Sequence, residues 1–269
     1  MPYGKMIARC FVLDLLVAVC SIGWAQSPPI VGAAIQTWHL DSIDSTTNSK
    51  MNIVTVRIVN TGKKDITAFN LSVTATYPTG PSKYQYSRDL VNTTVVLERY
   101  KGTAFGQNFM RENGDGRIPV GGFRDEQIGV LDGLTDFNAV LDVVAYADKT
   151  AEATSDEAFQ RLVDQRKAAA AAIQKADEIL RDVASDPTVT TPHAVAADKV
   201  QKFMDAWRAK PHSGNPDISL AQLTVIVHEL QRTPAGTPKE SLNTLIDEKE
   251  KERAIWVDQA QLVRIGGQQ

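Results

Sequence analysis

The sequence predicts an α+β protein of separate domains: an antiparallel β-sandwich over residues 30–149, then a C-terminal helical bundle of about four helices over residues 153–265. Two observations predict it. Apolar residues recur at every second position up to about residue 150 and at every third or fourth beyond it. The turns of the first part are rich in Gly and Pro, whereas the second part repeats a helix-starting device, a capping residue followed by Pro, at Thr191-Pro192, Asn215-Pro216 and Thr237-Pro238.

Ahead of both parts, Lys5 and Arg9 precede the apolar run Phe11 to Ile22 and the small-residue stretch Gly23-Trp24-Ala25. That is the form of a secretory signal peptide over residues 1–25, with cleavage expected after Ala25. The run is interrupted by Asp14 and falls short of the roughly 20 apolar residues of a membrane span, so no transmembrane segment is expected once the leader is removed. A lipoprotein signal ending at Cys20 is the alternative, against which stands the bulk of Val19.

The two cysteines, Cys10 and Cys20, both lie in this leader, so the exported chain would fold without disulfides on the strength of its core alone. That favours a bacterial periplasm or exterior. Two glycosylation-type triplets, Asn70-Leu71-Ser72 and Asn92-Thr93-Thr94, point the other way and are explained by chance occurrence. The chain carries 29 basic and 32 acidic residues, a net charge of −3. Nucleic-acid binding requires clustered Lys and Arg to displace counterions, and the one tight basic pair, Lys63-Lys64, sits in a predicted turn.

Strands are expected at 34–41, 52–60, 68–77, 84–91, 93–98, 123–130 and 137–147. The clearest alternates Phe69, Leu71, Val73, Ala75 and Tyr77 with Asn70, Ser72, Thr74 and Thr76, giving one buried and one solvated face. Its upstream neighbour is dominated by β-branched residues and ends in the turn Asn60-Thr61-Gly62. The stretches "RIVNTGKKDITAFNLSVTATYPTG" and "IPVGGFRDEQIGV" resemble the immunoglobulin-like modules of the FxLYD and CARDB kind found in bacterial envelope proteins. The resemblance implies an Ig-like sandwich with an adhesive or spacing role. The segment 98–118 and the whole carboxy-terminal half depart from that pattern.

The helical half opens on Thr154-Ser155-Asp156-Glu157, which reads as a capping box with Thr154 as the cap. Phe159, Leu162, Val163, Ala170, Ile173, Ala176, Leu180 and Val183 then trace one stripe of a helix from 155 to 185, with the smooth run Ala168 to Ala172 in its middle. Later stripes are Val200, Phe203, Met204 and Trp207; Leu223, Ile226, Val227 and Leu230; and Leu242, Leu245, Ile246, Trp256 and Val263. Short loops favour antiparallel packing. The run "DEKEKER" from Asp247 to Arg253 reads as a solvated helical face.

Chemistry is sparse. His228-Glu229 begins a His-Glu-x-x-His pattern, but Arg232 stands where the second imidazole is needed, and no metal or cofactor is expected. His39, His193 and His212 read as structural. No Gly-x-Ser-x-Gly elbow or phosphate loop is present, and "NGDGRIPVGGF" reads as a hairpin turn. The pairs Asp125-Glu126 and Asp132 with Asp136 would matter only if a cleft separated them suitably.

One candidate binding segment remains. Residues 98–118, "ERYKGTAFGQNFMRENGDGRI", are expected to form a long connection in which Tyr100, Phe105, Phe109 and Arg111 offer the aromatic and Arg composition of an interface. Its competing reading is that Phe105 and Phe109 fold back over the sandwich core. The expectation is thus an exported, non-catalytic envelope or extracellular binding or structural protein whose partner is a protein or envelope component, with self-association through the helical half as a further use. The alternative is a secreted hydrolase acting on polysaccharide or peptide, with carboxylates or His228 between the halves.

Overall fold

The computed structural model describes residues 30–43, 51–114, 116–209, 218–234 and 236–266. The leader, both cysteines, His212 and Asn215-Pro216 lie outside the described residues. The fold is mixed α+β, with eight strands in two sheets and six helices among the described residues. In chain order these are β1 (Ala33–Ile43), β2 (Met51–Asn60), β3 (Ile66–Tyr77), β4 (Gly80–Asp89), α1 (Val91–Arg99), α2 (Ala104–Asn113), β5 (Phe123–Val130), β6 (Asp136–Tyr146), β7 (Thr150–Ala153), α3 (Asp156–Ser185), α4 (Pro192–Arg208), α5 (Ile218–Arg232), α6 (Ser241–Gln259) and β8 (Val263–Ile265).

A three-stranded sheet, β1-β2-β5, and a five-stranded sheet, β4-β3-β6-β7-β8, are each antiparallel except where β8 joins β7 in parallel. The expected alternation places Val54, Val56 and Ile58 of β2, Phe69, Leu71, Val73 and Ala75 of β3, and Ile128 and Val130 of β5 in one buried cluster with Phe137, Leu141 and Val144 of β6. Period-two burial of this kind fixes the register, because a one-residue slip would turn every one of these side chains to the opposite face.

The other face of β3 is not left to solvent. Ala68, Val143, Ala145, Ala151 and Ala153 lie beneath Ala158 and Leu162 of α3, so small residues on the sheet let the helix approach closely. Asn70, expected on a solvated face and at the head of a glycosylation triplet, is buried and engaged with Ser87. A β-bulge where β3 meets β6 brings the extra residue Asp142 alongside Ser72.

Helix α3 runs 30 residues, about 45 Å at 1.5 Å per residue. Its cap is Ser155, whose hydroxyl accepts from the Ala158 amide at 3.0 Å; Thr154, the expected cap, instead has its hydroxyl 3.4 Å from the Asp142 carbonyl and its amide bonded to that oxygen. Ala172, Ala176, Leu180 and Val183 form a second core with Ala196, Val200, Leu223, Ile226, Leu230, Leu242 and Ile246 of the later helices. Thr237-Pro238 lies in the turn before α6, which starts at Ser241.

Residues 93–118 also depart from expectation. Residues 93–98, expected as a strand, lie within α1, whose first free amide, that of Val91, is taken up by the Asp89 carboxylate at 3.0 Å. Burial of Val91 and Val95, one turn apart, against Ala169, Ala170, Ile173 and Trp256 then outweighs the β-propensity of the β-branched run. Residues 98–118, expected as a long connection, contain the end of α1 and all of α2, the latter capped by Thr103, whose hydroxyl accepts the Gly106 amide at 3.0 Å.

The ends of the described chain meet at β7. The Glu152 carboxylate accepts the Val31 amide at 2.5 Å and the Gly32 amide at 3.2 Å, while Ile265 of β8 pairs with Glu152 in the sheet. Only glycine fits at 32: a Cβ there would lie 1.9 Å from the Tyr146 hydroxyl, which itself bonds Glu152 at 2.8 Å. Val263, expected on a helical stripe, is an exposed residue of β8.

Candidate functional site

Charge converges where α1 meets α5 and α6. Arg99, the last residue of α1, pairs with Glu229 of α5 and with Glu248 and Glu252 of α6, the latter two at 3.0 and 3.3 Å. Lys249, its side chain only 1% exposed, donates to both oxygens of Glu252 at 3.0 and 2.8 Å and lies 3.5 Å from Glu229. The run expected to be a solvated face therefore contributes two buried charges. The physical reason is the insertion carrying α1, which covers this face of α6 and supplies the cation that a buried carboxylate requires.

The chemistry of the cluster follows from this pairing. Burial pulls the Arg99 guanidinium down, but Glu229 and Glu252 outweigh it and hold its pKa above the ordinary value. Burial raises the neighbouring Tyr100 phenol, opposed by Arg99 and reinforced by Glu229, whose Oε1 accepts the phenol proton at 3.3 Å. Arg99 also lies 5.4 Å from the Tyr100 ring centroid. Beside the cluster is a cleft of about 520 Å³ lined by Val95, Glu98, Arg99, Glu248, Lys251 and Glu252. Of these, Glu98, Arg99, Glu248 and Glu252 are ion-paired with neighbours.

Of the sequence-derived binding residues, Tyr100 belongs to this cluster, whereas Arg111 is exposed in the last turn of α2. Phe105 and Phe109 fall within α2. Arg99, next to Tyr100, is the residue that sequence reasoning missed; nothing local distinguishes it from any helix-ending Arg. His228 is exposed on α5, and Asp125 is held by a bidentate Arg57 at 2.7 Å for each contact. Glu126 is buried, bonded by the Tyr86 hydroxyl at 2.6 Å and by Arg124 at 2.6 Å. Asp132 and Asp136 are exposed.

A second charged node lies deeper. Arg166 of α3, with no exposed side-chain surface, binds Asp89 through Nε at 2.7 Å and Nη2 at 3.2 Å, and its Nη1 donates to the Gln259 carbonyl at 2.6 Å. One guanidinium thus ties the end of β4, the start of α1, the middle of α3 and the end of α6.

A cleft of about 640 Å³ opens between the start of α4 and the end of α5, lined by Thr190, Thr191, His193, Asp198, Gln231 and Thr237 among others. Burial lowers the His193 pKa and favours the neutral imidazole, whose Nε2 lies 2.7 Å from the Ser241 hydroxyl. Sequence reasoning placed neither residue at a site, since 48 positions separate them. Among the described residues no group of three or more His, Cys, Asp or Glu is placed to hold a metal ion, and no helix is long and apolar enough to cross a membrane.

No protein-family model and no curated protein matches the chain. One solved structure, titled as a 1.85 Å X-ray structure of a hypothetical protein from Peptoclostridium difficile 630, aligns over 51% of this chain and 92% of its own at 10% identity and a TM-score of 0.28. A likeness at that level carries no argument about fold or role.

Proposed function

We propose that this is an exported, non-catalytic binding or structural protein of the bacterial envelope or extracellular space, built on an Ig-like sandwich. The observation that carries the reading is the use made of its buried charge. Two buried ionic nodes are matched within the fold: Arg166 with Asp89 joins α3 to the end of β4, and Arg99 with Glu229, Glu248 and Glu252 joins α1 to α5 and α6. Groups arranged in this way hold a scaffold together and present surfaces. The strand order supports the Ig-like assignment: β1-β2-β5 opposite β3-β6-β7 is the arrangement A-B-E opposite C-F-G of immunoglobulin sandwiches, with β4 beside β3 and β8 beside β7. The leader-like residues 1–25 support export.

Its partner on this reading is a protein or envelope component. The test is fractionation of bacteria expressing the full chain, followed by co-sedimentation of the purified mature protein with envelope fractions. The expected result is a periplasmic or secreted product beginning at Gln26 that sediments with the envelope, and a Tyr100→Ala/Arg111→Ala variant that sediments less. A full-length product retained in the cytoplasm would overturn the reading.

A further inference from the structure

We propose that strand β1, and not the helical half, is the self-association surface of this protein, pairing edge to edge with β1 of a second copy across a two-fold axis at Leu40. The inference goes beyond the binding role above and does not depend on it. In the three-stranded sheet β1-β2-β5, strand β1 pairs with β2, and among the described residues no strand takes up its other edge. The backbone amides and carbonyls along such an edge are a template for a further strand.

The remaining edges of the two sheets are guarded. Strand β4 carries Pro81 and Lys83, β5 carries Arg124, Asp125 and Glu126, and β8 has three residues. Proline, charge and brevity are the devices by which edge strands refuse a partner. Strand β1, "AAIQTWHLDSI", is 11 residues long and has no Pro, Lys or Arg.

Its register decides how a copy fits. A bulge interrupts β1 between Ile35 and Thr37, and from Thr37 to Ile43 the pairing with β2 is regular. Leu40 is the midpoint of that regular segment. A two-fold axis there lines up the whole segment with its copy, Thr37 against Ile43, Trp38 against Ser42 and His39 against Asp41. Each residue then meets one of its own face, since the members of each pair lie an even number of positions apart. Trp38 and Leu40 are in register with the buried Val56 and Val54, and His39 and Asp41 with Thr55 and Ile53 on the opposite face.

Charge selects the same register independently. His39 and Asp41 are the titratable residues of β1, and the axis at Leu40 sets them opposite each other twice. Opposite charges directly across a strand pair stabilise it, and like charges weaken it. An axis at His39 would face two imidazoles and an axis at Asp41 two carboxylates, each leaving part of the regular segment unpaired. Segment length and charge thus both point to a second copy of this strand as the occupant.

The assembly closes on itself. Joined at β1, two three-stranded sheets become one continuous sheet in the order β5-β2-β1-β1-β2-β5, whose outer edges are the charged β5 strands. The same patch is used on both chains, so association stops at two.

The test is sedimentation velocity of the protein purified from bacteria expressing the full chain, from about 1 µM to 1 mM, the Kd range of a small, transient interface. The wild type is expected to pass from monomer to dimer across this range and go no further. Asp41→Lys, which sets a lysine against His39, is expected to raise Kd about tenfold. His39→Asp/Asp41→Lys restores opposite charges in the same register and is expected to return Kd to the wild-type value or below it. On the wild type itself, hydrogen exchange of the amides in residues 37–43 is expected to slow at dimeric concentration. A wild type that stays monomeric, a dimer whose 37–43 amides exchange at the monomer's rate, or a folded double variant no tighter than the single one would overturn the proposal. The first two outcomes are read on the wild type and need no variant to fold, and sedimentation with the envelope remains a separate readout for the binding role.

Discussion

Arg166 and Arg99 are both helix-borne guanidiniums that meet carboxylates from other elements, yet they do so in different surroundings. Arg166 has one carboxylate partner, no exposed surface and three elements hanging on it. Arg99 has three carboxylate partners, two of them more than 20% exposed, and a second cation, Lys249, sharing the load. The difference teaches that the number of contacts is a poor guide to consequence. What matters is whether a charge left behind can find water or another partner, since an uncompensated buried charge is the costly state.

The largest effect that would test this contrast is Arg166→Met. It strands Asp89 in the interior, and thermal or denaturant unfolding is expected to show a loss of about 3–5 kcal/mol. An effect below 1 kcal/mol would break the comparison. Adding Asp89→Asn should recover part of the loss, because the amide oxygen can still accept the Val91 amide.

Lys249→Met comes next. Its partner Glu252 keeps Arg99 at 3.3 Å, so the expected cost is smaller, about 1–3 kcal/mol. A cost equal to that of Arg166→Met would show that the shared cation gives no relief.

Asp177 sharpens the comparison from the opposite sign. Burial raises its pKa, opposed by Arg181, and one of its oxygens is buried without a hydrogen-bond partner. An acid raised in the folded state loses stability as pH climbs from its unfolded value through its folded one. Asp177→Asn should therefore raise the melting temperature slightly at neutral pH and have no such effect well below the unperturbed 3.8.

The smallest change is expected at the exposed pair of Asp148 and Lys64. Burial pushes the Asp148 carboxyl up, but hydrogen bonds from Lys64 and Thr150 outweigh it and bring the pKa down to about 2. A lowered acid contributes stability above its unfolded value of 3.8 that is lost as pH falls towards 2. Asp148→Asn should cost well under 1 kcal/mol at neutral pH and less still in high salt.

The sequence disclosed what depends on local periodicity. Strand β3 was readable because Phe69, Leu71, Val73 and Ala75 alternate, and α3 because its apolar stripe holds over 30 residues. Helix α1 was not, since Val95 and Val96 follow two threonines and the Asp89 carboxylate that takes up its first amide is itself fixed by Arg166 from 77 positions away. Strand β8 has three residues and exists only because β7 offers it a parallel neighbour. The same limit governed the sites. Tyr100 was found by composition, but its companions Glu229 and Glu252 come from separate helices, and a charged run looks alike whether water or another helix faces it. His193 and Ser241 carry no spacing signal at all.

The clamp of Glu152 on Val31 and Gly32, with β8 lying along the same short strand, brings the chain's two exits together. A pull applied at residue 31 and one applied at residue 265 would accordingly load the same short strand. Joining residue 31 to residue 265 through a short linker, in place of the residues beyond them, and opening a surface loop elsewhere should yield a circular permutant that still folds.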